Sequence, residues 1–408
     1  MDFNPVILSI PLYFILIGFE LVYQLVKKTK IYRTNDAITN INCGIFSQVT
    51  NALWGVMSIG MYQLVYQYLS ITQIESSWWS YLILFVLVDF FYYWFHRASH
   101  EINFLWNTAH VVHHQSEDYN LSVALRQSSF GGVFSMIFYL PLAIIGFNAY
   151  AFLAVKGINL IYQFWIHTEA IEKLPRWFEY LFNTPSHHRV HHGRNPKYID
   201  RNHAGTLMIW DRMFGTFQEE EERPTYGVTT PTNSWNPVWA NVLPIVGMAN
   251  QIKSTPGFLN KLKVLFYKPG WRPDELGGYQ AAPEVNNESY TKFDVHPHVA
   301  LIRYVFVQFV AVLSFTALFL FTHANYDFYI KLALAIYIMW SIGQLGILME
   351  NKSKWIPAEF IRLVATSAIL IYLINTPVGY VIGILYTLLF GFWLLRVNSF
   401  IQNHKDAM

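Results

Sequence analysis

The sequence predicts an all-α, polytopic membrane protein that carries a histidine-rich helical metal-binding cap in water. Three observations lead there. Of 408 residues, 53% are hydrophobic and only 13% charged, the balance of a chain whose solvent is partly lipid. About nine segments are apolar over the length of a membrane span, roughly 20 residues at about 1.5 Å each for a core of about 30 Å. Eleven of the fifteen histidines fall between His96 and His203, most of them in pairs or triples at helical spacing.

The first apolar run, Pro5 to Val26, follows Met-Asp-Phe-Asn without a basic leader, and no small-residue cleavage pattern closes it, so it reads as a retained span. Further spans are expected near 45–70, 78–97, 128–146 and 149–167. Asn42, Gln48 and Asn51 interrupt the start of the second, and the pair around Pro141 to Ala151 has the alternative of a hairpin that does not fully cross. Thr168 to Pro297 is too polar for hydrocarbon and belongs in water, with the acidic run Glu219 to Glu222 as a solvated face. The last third supplies spans near 299–321, 327–349, 358–375 and 378–396. The chain thus divides into amino-terminal spans (1–76), a histidine-box region (77–217), a polar segment (218–298) and carboxy-terminal spans (299–408).

Lys27, Lys28, Lys30 and Arg33 follow the first span, and loops rich in Lys and Arg stay cytoplasmic. Counting spans from there puts every histidine cluster on the cytoplasmic side, of an endoplasmic reticulum or of a bacterial inner membrane. The terminal Asn-His-Lys-Asp-Ala-Met carries no obvious retention signal. A net charge of +2 without a long basic block argues against nucleic acid as a partner. The single cysteine, Cys43, rules out an intrachain disulfide, a zinc ribbon and an iron–sulfur cluster. Any metal must therefore be held by nitrogen and oxygen.

His96 and His100 are four apart at the end of a predicted span, so both imidazoles leave one helix face. His110, His113 and His114 stand at i, i+3 and i+4, and His188, His191 and His192 repeat the pattern, each triple presenting three nitrogens to one side. Gln163 and His167, also four apart, offer a further ligand. Imidazole suits Fe, Zn, Cu and Ni alike, so residue type alone does not name the metal. Ordinary interfacial histidines are the competing reading, disfavoured because ionisable groups at membrane depth are costly and usually functional. His187 and His203 are left open, and His296, His298, His323 and His404, near predicted span ends, read as interfacial.

The run His96-Arg-Ala-Ser-His100-Glu101, then His110-Val-Val-His113-His114, then His188-Arg-Val-His191-His192 resembles the fatty acid hydroxylase and sterol desaturase superfamily. Ala124-Leu-Arg-Gln-Ser128, Asn183-Thr-Pro-Ser-His187 and Ile209-Trp-Asp-Arg-Met-Phe-Gly-Thr-Phe217 are similar to its alkylglycerol monooxygenase branch, as is the hydrophobic last third. The resemblance implies two iron ions bound by the eight histidines of the three boxes, O2 as co-substrate, a lipid substrate and an external electron donor, which in that branch is tetrahydrobiopterin. No fused cytochrome-type domain is recognisable, which favours a diffusible reductant. The reaction implied is hydroxylation of the carbon beside an ether oxygen, giving a hemiacetal that collapses to glycerol and a fatty aldehyde.

Such chemistry needs a metal that changes oxidation state, which zinc does not. Ligating imidazoles normally donate their second N–H to a carboxylate, carbonyl or water. Glu101, Asp89, Asp118, Asp200 and Asp211 are the nearby acids, with Glu101 and Asp89 the expected catalytic carboxylates; Asp89 lies seven residues before His96 in an apolar stretch. Arg126, Gln127, Arg189, Arg194 and Asn195 are expected to position a headgroup or cofactor, and Phe91, Tyr92 and Trp94 to line a chain pocket. The competing functions are a sterol or fatty-acyl hydroxylase or desaturase and, in a different class, a zinc-dependent hydrolase or a metal transporter. A transporter places its ligands near the bilayer midplane, and a zinc hydrolase needs about three ligands and a base. Neither calls for this many histidines at span ends.

Overall fold

Long apolar runs broken by short polar turns satisfy their backbone groups within helices, as lipid requires. The computed structural model describes residues 5–286, 288–351 and 356–406; the Met-Asp-Phe-Asn leader lies outside them, as do Ala407, Met408 and the side chain of His404. Among the described residues the chain is helical, with two isolated bridge pairs, Phe182 with Leu207 and Gly193 with Tyr226.

In order the helices are α1 (Pro5–Lys27), α2 (Thr34–Leu69), α3 (Trp78–Glu101), α4 (Asn103–Leu105), α5 (Val111–His114), α6 (Gly131–Ile145), α7 (Ala149–Trp165), α8 (Arg176–Leu181), α9 (Pro185–His191), α10 (Ile209–Phe214), α11 (Pro237–Ser254), α12 (Phe258–Phe266), α13 (Val299–Thr322), α14 (Phe328–Met349), α15 (Ile356–Ile374) and α16 (Pro377–Asp406).

Six stretches among the described residues are long and apolar enough to cross a membrane: Ser9–Lys27, Trp78–Glu101, Val299–Asn325, Phe328–Met349, Ile356–Ile374 and Pro377–Gln402. The expectation of about nine is corrected at three places. The 45–70 segment is the second half of α2, whose first half buries Asn35, Asp36, Thr39, Asn40 and Asn42 against protein. The 128–146 and 149–167 segments are α6 and α7, of 15 and 17 residues, or about 22 and 26 Å. They form the hairpin allowed for above. Its turn rests on Gly146 at φ 116°, where a Cβ would meet the Thr72 carbonyl at 2.3 Å, and on Asn148, whose side chain accepts from Ala151 N and caps α7.

The chain divides into two units, Met1–Thr232 with Ala240–Lys292, and Asn233–Trp239 with Phe293–Met408. In the first, Tyr62, Leu84, Val88, Tyr139, Leu142 and Phe152 interlock α2, α3, α6 and α7, and α1 joins through the Tyr13–Phe164 stack at 4.3 Å. Glu20, buried on α1, accepts from Leu121 N at 2.8 Å and from the hydroxyls of Tyr32 and Thr168, fixing three loops to that helix. In the second unit, Glu359 and Arg362 pair at 2.6 Å in the interior of α13–α16, with Tyr304 and Gln308 joined to them. Buried polar groups of this kind hold helices together where lipid gives no hydrophobic drive. His296 is exposed, and His298 accepts from Ala300 N at the start of α13.

One glycine joins the fold to the site. A Cβ on Gly44 in α2 would stand 2.5 Å from the Leu125 carbonyl, so Gly44→Ala must push α2 away from the turn that carries Arg126. A loss of about 1–3 kcal/mol is expected from such overpacking, read as a lower Tm in detergent; an unchanged Tm would show that the turn yields freely.

Candidate metal centre

Four elements bring nine histidines together. The last two turns of α3 carry His96 and His100. A π-turn over Trp106–His110 then interrupts the helical register before α5, a device common at functional sites. The third element, α9, is started by Pro185 in its first turn. His167 arrives from the end of α7. All nine imidazoles are buried.

They separate into two groups, His96, His100, His110, His114 and His191 in one, and His113, His167, His188 and His192 in the other; within each group the ligand atoms lie within 4.8 Å of one another. This corrects the expectation that each triple presents its three nitrogens to one side. On a helix, positions i and i+4 are about 40° apart, while i+3 is displaced about 100° from i+4. His110 and His114 therefore share one group while His113 crosses to the other, and His188 and His192 share the second while His191 crosses to the first. Each triple straddles both groups, holding them side by side, with His114 stacked on His192 at 4.3 Å.

The nitrogen geometry fits metal ions. His110 Nε2 lies 2.9 Å from both His96 Nε2 and His114 Nε2; His167 Nε2 lies 3.0 Å from His188 Nε2 and 3.2 Å from His113 Nε2. With metal–nitrogen bonds of about 2.1 Å, ligands at right angles sit about 3.0 Å apart and tetrahedral ones about 3.4 Å apart. The observed spacings favour the right-angled arrangement. His100 Nε2, His191 Nε2 and His192 Nε2 are buried with no hydrogen-bond partner, a costly state for atoms that do not bind something else.

Backbone carbonyls set the tautomers. The Nδ1–H groups of His96, His113, His167 and His191 donate to the carbonyls of His203, Arg126, Gln163 and Arg201 at 2.8, 2.8, 2.8 and 2.9 Å. Each Nε2 lone pair is thereby aimed inward. Sequence gives no sign of these carbonyls. Among the acids, Asp200 approaches an imidazole, with Oδ1 3.8 Å from His100 Nδ1.

Asp89 is fully buried and accepts four hydrogen bonds, from Asn159 Nδ2, Thr206 N, Leu207 N and Trp210 Nε1, at 2.7–2.9 Å. It latches the 203–210 loop to α3 and touches no imidazole through these bonds. Asp211 accepts from His203 N and Ala204 N, both at 2.7 Å, and braces the same loop. Glu101 is half-buried beside Arg97 and Lys268. Asp118 pairs with Arg33 and Lys292 at 2.8 and 2.7 Å.

Of the residues expected to hold a headgroup or cofactor, Arg126 donates to the Val112 carbonyl, Asn40 and Gln115. Arg189 is clamped by Glu220 at 2.7 Å and by the Ile171 carbonyl. That corrects the solvated-face reading of the acidic run at Glu220, which turns inward to neutralise a buried guanidinium, while Glu219, Glu221 and Glu222 are exposed as expected. Asn195 bridges Glu222 and Thr225 N. Arg194 reaches the Tyr290 hydroxyl at 3.0 Å and keeps a buried Nε without a partner. Gln127 is exposed, 3.5 Å from His113 Nδ1. Of the chain-pocket aromatics, Tyr92 lies against His96 and Trp94 against Phe214.

His187 lies apart from both groups, against Phe217. His203 is fully buried beside the five-histidine group, 5.1 Å from the His100 ring, and neither of its nitrogens has a hydrogen-bond partner.

Burial and neighbouring imidazoles push His110, His114, His188, His191 and His192 well below the usual histidine range, and burial brings His113 from 6.5 to about 4. The folded state thus holds them neutral, as metal ligands must be. Above pH 6.5 folded and unfolded chains are alike in this respect. As pH falls from 6.5 towards 4 the unfolded chain binds the proton more readily, so stability is lost across that window, on the order of 3 kcal/mol for His113 alone. Metal-free protein is expected to show a falling Tm between pH 6.5 and 4.5; a flat Tm would contradict the assigned burial.

Residues 81–216 match the Fatty acid hydroxylase family. The chain is 39% identical over 361 residues to the alkylglycerol monooxygenase of Xenopus tropicalis, covering 86% of this chain and 78% of that protein. To the human alkylglycerol monooxygenase it is 38% identical over 357 residues, covering 86% and 79%. The chain belongs to the alkylglycerol monooxygenase family. A fatty acid hydroxylase of a Lecanicillium species is 26% identical over 185 residues, 38% of this chain and 46% of that protein, and no solved structure matches. The resemblance read from the three histidine boxes is borne out, and as a family member the chain is a multi-pass membrane monooxygenase.

Proposed function

We propose that this enzyme hydroxylates the carbon beside the ether oxygen of an alkylglycerol at a pair of irons, with a reduced pterin as electron donor. One ion would be held by His96, His100, His110, His114 and His191, the other by His113, His167, His188 and His192, and together they would supply the oxidation-state change that dioxygen chemistry requires. The observation that carries the reading is this division of nine buried imidazoles, four of them with tautomers fixed by backbone carbonyls, into two adjoining groups at near right-angled spacing.

The overall balance takes one O2, two electrons and two protons to place one oxygen on the carbon and release the other as water. The resulting hemiacetal breaks its carbon–oxygen bond to give a fatty aldehyde and glycerol. The protein's own part is to orient the imidazoles through the carbonyls of Arg126, Gln163, Arg201 and His203, and to keep water out through burial. Arg126 and Arg189 act as positioning residues, since Arg189 gives five hydrogen bonds to protein groups and Arg126 uses each of its three nitrogens on one. Gln127 and Arg194, each with capacity to spare, are the candidates to meet the reductant.

A cytoplasmic site is part of this reading. What supports it is that Arg33, in the basic stretch after α1, pairs with Asp118, four residues beyond His114, and basic loops are retained on the cytoplasmic side. The test uses protein purified in detergent, assayed for aldehyde release from a 1-O-alkylglycerol with O2 and reduced pterin. Turnover that needs all three supports the proposal. Iron at about two per chain with no aldehyde would overturn the substrate and redirect the search to sterol or acyl oxidation.

A further inference from the structure

Helix α12 has its apolar face turned away from the protein. Phe258, Leu259, Leu262 and Phe266 are all exposed, Phe258 and Leu259 by 74% and 71%, while Val264 is buried. At about 100° per residue these four side chains fall within one arc of about 100°, Val264 faces the opposite way, and Lys261 and Lys263 stand one at each edge of the arc. An apolar stripe flanked by lysines that can extend along it to the polar boundary is the build of a helix lying in a membrane surface.

Its position supports the same reading. Asn103, two residues past the end of the α3 span, donates through its side chain to the Val264 carbonyl at 2.8 Å and through its backbone to the Tyr267 carbonyl at 2.9 Å. The helix is therefore tied at the depth where α3 leaves the hydrocarbon. Between the end of α3 and the chain after α12 lies a shallow, open cleft lined by Glu101, Phe266, Tyr267, Lys268, Trp271 and Tyr279. Lys268 reaches Asp200 at 3.1 Å and Glu101 at 3.7 Å, and Asp200 is the carboxylate beside His100. The cleft thus lies one side chain away from the five-histidine group.

We propose that α12 lies in the bilayer surface with Phe258, Leu259, Leu262 and Phe266 among the acyl chains, and that the adjoining cleft receives the uncharged, hydroxyl-bearing end of a lipid entering from that surface. Lys268 and Glu101 offer a donor and an acceptor whose charges offset each other, which suits hydroxyl groups better than an ion, and the aromatic rings suit the carbon skeleton. The second half of the proposal rests on the lipid-monooxygenase reading above; the first does not.

The helix is tested on the full chain in vesicles of phosphatidylcholine and phosphatidylglycerol, with an environment-sensitive fluorophore on Leu259→Cys and, as control, on Glu284→Cys, an exposed position in the polar segment. Cys43 is fully buried and does not compete for label. A blue-shifted emission at Leu259→Cys that shallow nitroxide lipids quench several-fold more than at Glu284→Cys is expected. Equal quenching at the two positions, or protection of Leu259→Cys by a second copy of the chain without lipid quenching, overturns it. For the cleft, Trp271→Ala is expected to raise KM for vesicle-borne 1-O-alkylglycerol by about tenfold while kcat and iron content hold. An unchanged KM overturns the cleft assignment. If the unsubstituted enzyme itself turns over no alkylglycerol, the functional reading has failed instead, and the labelling result still decides the helix.

Discussion

His113→Ala is expected to remove metal from the four-histidine group and to lower turnover by about 100-fold or more, since changes to the outer partners of ligands alone cost 10–100-fold. Its ring is the point where α5 enters that group, with Nε2 3.2 Å from His167 Nε2 and its ring centre 4.6 Å from that of His192. Alanine also frees the Arg126 carbonyl that His113 Nδ1–H occupies. The group falls to three imidazoles, and the neighbouring group, stacked on it through His114 and His192, loses a wall. His191→Ala should act in the same direction but less completely, because four imidazoles remain in its group. Metal analysis of the variants beside the parent, purified identically, separates these expectations. Full metal content with full turnover in His113→Ala would remove it from the ligand set.

Asp89→Ala is expected to cost more in folding than any other change away from the imidazoles. Its carboxylate accepts from Thr206 N, Leu207 N and Trp210 Nε1, and it also receives Asn159 Nδ2. Each buried donor left unpaired costs about 1–3 kcal/mol, so the set approaches the whole stability of an ordinary domain, about 5–15 kcal/mol. The 203–210 loop would come away from α3, and with it the His203 carbonyl that aims His96. Gly205 packs so closely that a Cβ there would stand 2.8 Å from Asp89 Oδ1. Asp89→Asn keeps one acceptor oxygen and should fall between. Thermal unfolding and iron content measured together check this, and an alanine variant with parental Tm and metal would show that the latch is dispensable.

The histidine boxes could be picked out before any coordinates because helical spacing is a local property: i and i+4 stand about 40° apart on one face whatever the tertiary fold. How the triples divide between two groups could not, since it depends on where the other helices stand. Asp89 stood out as a carboxylate in an apolar segment, yet two of its four partners are the backbone amides of Thr206 and Leu207, more than a hundred residues away, which carry no sequence signature. The same limit hid the carbonyls that fix the tautomers. Arg126 and Arg189 looked available for a ligand because sequence shows a charge and not what it is spent on. The span count ran high for different reasons: α6 is apolar but only 15 residues long, α7 is short and carries Lys156, Asn159 and Gln163, and α2 is long but not apolar enough over a span's length, with a polar half that faces protein.

The central claim is that nine histidines hold two irons. X-ray absorption at the iron edge, combined with metal analysis of the purified enzyme, tests it most directly. The expected result is about two irons per chain, each with five or six nitrogen and oxygen neighbours near about 2.1 Å. A single four-coordinate zinc per chain, or iron bound to only one of the two groups in fully active enzyme, would contradict it.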